Sequence, residues 1–200
     1  MIHLLVSYFR SQHNARRDEY RYALESNIKL FDKVHIFAED KLDLNHKNVK
    51  IIPSEWMTFN KFFEYANTLN GYVVISNLDI AFDNSIHLLK KIVNEDTCIA
   101  LTRWDFNKSK RKWNIYNRSD SQDTWIFKTP IKKIKADFHI GQRGCDNVLA
   151  NKLKKKYTIK NPAGIIVTRH IHKSGYRNYK LPVLQGGKSH VPINKKKRLT

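Results

Sequence analysis

A carboxylate that closes a buried strand is well placed to hold a ligand, and Asp79 is the clearest such residue in this 200-residue chain. Four apolar residues, Tyr72-Val73-Val74-Ile75, compose a strand covered on both faces, as in a mostly parallel sheet. Ser76, Asn77 and Asp79 follow at its carboxyl end, where open α/β sheets bind their ligands. A hard cation such as Mn2+ or Mg2+ takes oxygen ligands and shares its shell between one or two carboxylates, phosphate oxygens and water. Asp79 beside Asn77 meets that demand. It meets equally well the demand of a plain turn, in which the side chain bonds its own backbone. Far along the chain, His170 and His172 stand two residues apart just after a strand, and so on one side if the backbone is extended.

The elements that must position these groups alternate. Residues 2–9 form a first strand. Residues 16–30 follow with Tyr20, Leu24 and Ile28 at the four-residue step of an amphipathic helix. Strands at 34–37 and 49–52 are stopped by Glu39-Asp40 and Pro53, and 60–69 reads as a helix bearing Phe62, Phe63 and Ala66. The central strand and its acidic turn come next, then a helix over 85–93 capped by Asp83, and a fifth strand at 97–101. This alternation predicts an α/β domain with a mostly parallel central sheet flanked by helices. The rhythm changes after 102: short strands at 112–116 and 124–127, a helix over 146–155 with Asp146 at its positive end, and late strands at 157–160 and 165–168. The boundaries expected are one domain over 1–180 and a basic tail over 181–200.

Composition narrows the function. Lys plus Arg is 37 against 18 Asp plus Glu, a formal net charge of +19, which attracts nucleic acid, anionic lipid or phosphorylated ligands. The basic runs are scattered and no nucleic-acid motif accompanies them, so a polyanion-binding protein without catalysis is the alternative reading. No stretch of 18 or more apolar residues is present, and the expected location is cytoplasmic, with peripheral contact at an anionic membrane face. Cys98 and Cys145 lack metal-ligand spacing and read as packing residues. No G-x-G-x-x-G follows the first strand and no G-x-x-x-x-G-K-[ST], G-x-S-x-G or H-E-x-x-H occurs, which removes dinucleotide, P-loop, serine-hydrolase and zincin signatures.

Four segments in order carry a resemblance. Residues 76–83 (SNLDIAFD), 100–105 (ALTRWD), 121–127 (SQDTWIF) and 144–147 (GCDN) resemble motifs of the small GT-A type nucleotide-sugar glycosyltransferases of large DNA viruses and bacteria. They are similar in particular to the amino-terminal glycosyltransferase domain of a chlorovirus glycan-assembly protein. The chain departs at Leu78, where a small Ser is usual, and at Asn77, where a strict DxD has Asp. The resemblance implies a single domain of GT-A (Rossmann-like) fold with a mixed second half, and transfer of a sugar, with inversion, from a nucleotide-sugar donor (a UDP-sugar) to a hydroxyl of a glycan or glycolipid acceptor. It implies Asp79 and a late histidine, His170 in preference to His172, as ligands of Mn2+ or Mg2+. Asn77 would contact the ribose or a metal-bound water. Asp146 is the implied catalytic base and Asp123 its rival. Ser7 and Tyr8 would meet the base, and Arg103 and Trp104 the donor hydroxyls, phosphate or sugar face. Lys173, Arg177 and Tyr179 would cover the diphosphate.

Overall fold

The computed structural model describes residues 1–176 and 182–195. In chain order the elements are β1 (Ile2–Tyr8), α1 (Asn14–Ile28), β2 (Lys33–Ala38), β3 (Val49–Pro53), α2 (Phe59–Ala66), β4 (Tyr72–Ser76) and β5 (Ile80–Phe82). A 3-10 helix (Asn84–Lys91) precedes β6 (Thr97–Leu101), β7 (Trp104–Asn107), β8 (Lys112–Ile115), β9 (Thr124–Lys128), α3 (Cys145–Leu153), β10 (Thr158–Lys160) and β11 (Thr168–His170). Seven strands form one sheet in the order β10-β6-β9-β4-β1-β2-β3. All neighbours in it are parallel except β9, which runs against both β4 and β6. The mixed α/β class with a mostly parallel central sheet is as expected.

Alternation along the strands explains the layers. Leu5, Val73, Ile75, Trp125 and Phe127 face one side and pack on Phe59, Phe62 and Phe63 of α2 and Leu149 and Leu153 of α3. Leu4, Val6, Val74, Ile99 and Ile126 face the other, against Tyr20, Leu24 and Ile28 of α1 and Ile86 and Leu89 of the 3-10 helix. The central strands β1, β4, β6 and β9 are therefore apolar on both faces, which a sheet sandwiched between helices requires. Cys98 and Cys145 are buried free thiols within the first of these layers.

Three local expectations are corrected. Residues 85–93 do not form an α-helix: Ile86 and Leu89, three apart, are both fully buried, and the tighter 3-10 turn stacks that step on one line. The Asp83 cap is present, its side chain accepting from Ser85 N–H at 2.9 Å. The late strand lies at Thr168–His170 instead of 165–168, because residues 163–166 turn. Strands β5 and β7 emerge where none was read, and with β11 and β8 they build a second sheet in the order β5-β11-β7-β8. The segment read as a basic tail packs on the body as far as it is described: Val191 is buried and its N–H donates to Ser119 O at 2.7 Å. Arg177, Tyr179 and residues 196–200 lie outside the described residues.

Candidate active site

The second sheet decides where the chemistry gathers. The chain leaves β4 of the main sheet at Ser76 and enters β5 at Ile80, so Asn77, Leu78 and Asp79 bridge the two sheets. β5 pairs antiparallel with β11, Ile80 opposite His170, and β11 runs parallel beside β7 with Arg169 opposite Trp104. These registers set His170 between two carboxylates. Its Nε2 lies 3.1 Å from Asp79 Oδ2 and its Nδ1 2.9 Å from Asp105 Oδ1. Burial opposes a charge on His170, but the Asp105 and Asp79 carboxylates outweigh it and raise its pKa to about 9. Asp79 is likewise buried, and its carboxylate is held well below the usual range by His170 and Arg16. From α1, Arg16 Nη2 donates to Asp79 Oδ2 at 2.5 Å, while Nη1 donates to Glu19 at 2.8 Å and to Ile171 O at 3.2 Å. Glu19 in turn accepts from the N–H and hydroxyl of Ser174.

His172 completes a cluster. Its ring stacks on that of His170, centroids 5.0 Å apart and planes 9° apart; the chain turns between them after β11, with His172 N–H donating to His170 O at 3.1 Å. Among the described residues neither of the buried His172 ring nitrogens has a hydrogen-bond partner. Burial and the neighbouring charges of Arg16 and His170 hold its pKa below the ordinary histidine value. Asp79, His170 and His172 each offer one ligand atom, and these atoms lie within 4.8 Å of one another. A buried imidazole with no partner leaves a lone pair unused, which is a cost that a cation would remove. The local charge points the same way. Among the described residues, Glu19, Asp79, Asp105 and Asp123 pair with no cation other than Arg16, Arg103 and His170, so a neutral His170 leaves two negative charges uncompensated within that set. A neutral His170 donating Nδ1–H to Asp105 presents Nε2 beside Asp79, the usual support of a metal-bound histidine. The residues present therefore fit a divalent cation.

A second group stands beside this one. β9 runs antiparallel between β4 and β6, so the residue before it, Asp123, arrives at the same edge at which β4 ends: Ser76 is opposite Thr124. Asp123 accepts from Asn77 Nδ2 and Arg103 Nη1, each at 2.9 Å, and Arg103 also donates to Asp105 at 3.0 Å. Asp146 lies in the first turn of α3, after Gly144. That glycine has φ 85°, and a Cβ there would stand 2.9 Å from Leu184 O. Burial first, and then the charge of Asp123, raises the Asp146 pKa above its ordinary value.

Three adjoining clefts open on these residues. The first, about 190 Å3, is lined by Ser7, Arg16, Trp56, Asn77, Asp79, Arg103, Asp123, His170, His172 and Tyr176, among others. The second, about 340 Å3, shares Asn77, Arg103 and Asp123 with it and adds Tyr116, Gln122 and Asp146. The third, about 220 Å3, lies across the two histidines, against Phe106, Lys108, Trp113 and Lys173. The structure thus gathers Ser7, Asn77, Asp79, Arg103, Asp123 and His170 at one cleft and puts Asp146 in the next. Tyr8 and Trp104 line none of the three; the Trp104 indole N–H instead donates to Ala163 O at 2.8 Å. Lys173 lines the third cleft and not the first. Arg16, Glu19 and Trp56 were not read from sequence. Trp56 lies flat on His139 at 4.4 Å between ring centroids, its N–H held by Ile140 O.

No protein-family model and no curated protein matches the chain, so the glycosyltransferase resemblance rests on its four segments. Two solved structures of Staphylococcus aureus TarS (residues 1–349) show some likeness. The complex with UDP-GlcNAc has a TM-score of 0.42 and 10% identity over 64% of this chain and 45% of that one. TarS alone has a TM-score of 0.41 and 11% identity over 64% of this chain and 47% of that one. This chain spans less than half of either TarS structure, and an overlap of this size assigns neither activity nor site residues.

Proposed function

We propose that the protein is a GT-A type glycosyltransferase that moves a sugar from a nucleotide donor, a UDP-sugar, to a hydroxyl of a glycan acceptor, with inversion. The observation that carries this reading is the Asp79–His170–His172 cluster just beyond the carboxyl end of β4, with both His172 nitrogens buried and, among the described residues, unpartnered. Mn2+ or Mg2+ held by these residues would neutralise the departing diphosphate. The rest of the chemistry belongs to the chain. Asp146 takes the proton of the acceptor hydroxyl as that oxygen bonds the anomeric carbon and the bond to the diphosphate breaks. Its raised pKa favours this role, since a base poised nearer neutral pH is the better catalyst, and such a base contributes ~100–10,000-fold. Asp123 is tied at both oxygens by Asn77 and Arg103, which suits a positioning residue better than a base. The first cleft would take the nucleotide and the second the acceptor.

The test is thermal stability with UDP, GDP and CMP, each with and without Mn2+, followed by donor hydrolysis and transfer assays. A ligand at a hundred times its Kd stabilises by about 2.7 kcal/mol, a readable shift. A nucleotide-specific shift that needs Mn2+ and disappears in His172→Phe supports the reading. No shift with any nucleotide, while RNA stabilises wild type and variant alike, refutes it in favour of polyanion binding.

A further inference from the structure

The β7–β8 hairpin beside the third cleft is built as a fixed, cationic tip. Its strands pair antiparallel with Phe106 opposite Trp113 and Asn107 opposite Lys112. Asn107 ties the turn, its side-chain oxygen accepting from Ser109 Oγ at 2.8 Å and from Lys110 N–H at 2.9 Å. Trp113, one pair back from the turn, anchors the hairpin to the body, edge-on to Phe106 at 5.3 Å and packed on Ala23, Ala81 and Ile171. The tip then carries Lys108, Lys110, Arg111 and Lys112, all exposed. Among the described residues no acid pairs with any of the four. Elsewhere on the basic surface, Lys128 and Lys132 are matched by Glu95 and Asp96. Immediately behind the tip Phe106 is 39% exposed, one of few large apolar side chains left in solvent.

Unmatched cations with an aromatic ring behind them fit one kind of surface. Cations gather anionic headgroups, while an aromatic side chain settles at the boundary between headgroups and acyl chains. A single-stranded nucleic acid would need a cationic groove that tracks its backbone, with ring faces open for stacking. Here the four cations of the hairpin sit on one short turn and are not strung along a groove, and Phe106 is engaged by Trp113. We propose that the β7–β8 tip docks the protein on an anionic lipid bilayer. Phe106 and Lys108 also line the third cleft, with His170 and His172. Arg103 lines both the third cleft and the second, so docking at the tip would, on the transferase reading above, hold the acceptor cleft near a membrane that carries a lipid-linked acceptor.

Co-sedimentation with phosphatidylcholine vesicles, with and without phosphatidylglycerol, tests the contact without any assay of transfer. Wild type is expected to bind only the anionic vesicles, and less so at raised salt. Each cation near such a surface contributes roughly fivefold, so Lys110→Glu/Lys112→Glu lowers partitioning at least about 25-fold. Phe106→Ser is expected to lower vesicle binding while leaving binding to poly(U) RNA unchanged. Thermal melts confirm that both variants are folded. Wild type ignoring anionic vesicles, the charge reversal binding like wild type, or Phe106→Ser weakening RNA as much as vesicles would each overturn the proposal. Nucleotide-dependent stabilisation in wild type is read separately, so failure of the membrane contact is distinct from failure of the transferase reading.

Discussion

Breaking the Arg16–Asp79 pair separates what the site contributes to the fold from what it does for a ligand. Both side chains are only 10% exposed. Removing one partner of a buried pair strands the other, a loss of about 3–5 kcal/mol. Asp79→Asn leaves Arg16 with Glu19 alone and His170 with Asp105 alone, so the lower end of that range, about 3 kcal/mol, is expected. Arg16→Met leaves Asp79 with His170 and is expected to cost about the same. The double variant no longer strands either group against the other, so it should lose about 3–4 kcal/mol instead of the additive sum. Urea denaturation with an unchanged slope reads all three. Additivity within about 0.5 kcal/mol, or either single change costing under about 1 kcal/mol, refutes the buried-pair account. Mn2+ then adds a functional readout. Arg16→Met removes a competitor from Asp79 Oδ2 and should keep the Mn2+-dependent nucleotide shift, whereas Asp79→Asn should abolish it.

Other outcomes follow from single residues. Asn27 Nδ2 donates to Ile80 O and its Oδ1 accepts from Phe82 N–H, so Asn27→Ala strands both backbone groups of β5 and should cost about 2–4 kcal/mol by urea denaturation. His35 is buried against His3 and Tyr65. Burial and the charges of His3, Lys50 and Lys33 lower its pKa to about 4. Above pH ~6.5 folded and unfolded states are both neutral there; between ~6.5 and 4 only the unfolded chain takes the proton. Stability should fall by up to about 3 kcal/mol across that window and, from this group, no further below it, and His35→Gln should flatten the fall. Asp146→Asn should lower transfer ~100–10,000-fold with the nucleotide-dependent thermal shift intact; loss of both together would mark Asp146 as structural.

The elements that bury both faces were legible because their signal is local. Apolar runs such as Val73-Val74-Ile75 and the step Tyr20, Leu24, Ile28 fix strand and helix without reference to the rest of the chain. Asp79 and His170 were legible for a related reason, since each closes a strand and strand ends collect at one edge. Arg16 was not. Its sequence neighbourhood shows only an i, i+3 pair with Glu19, the pattern of an ordinary solvated helix face. What buries it is β5, some sixty positions away (63 residues from Arg16 to Asp79), through a three-residue strand too short to announce itself. The second sheet as a whole was hidden for that reason: β5, β7 and β11 have three, four and three residues. The antiparallel insertion of β9, which delivers Asp123 to the site, depends on strand order, and no local pattern encodes it.

The link from Ser76 to Ile80 passes from a sheet buried on both faces to one made of four short strands. Subglobal opening in proteins follows such differences in local contact. An excursion that separates β5 from β11 while the seven-stranded sheet persists would carry Asp79 away from His170 and disband the cluster. Activity would then vanish in a form that still has most of its helices and strands. A bound cation, bridging β5 to β11, would act as a clasp on that motion. Amide exchange in β5 and β11 should therefore slow when Mn2+ is added, while exchange in β1 and β4 stays as it was.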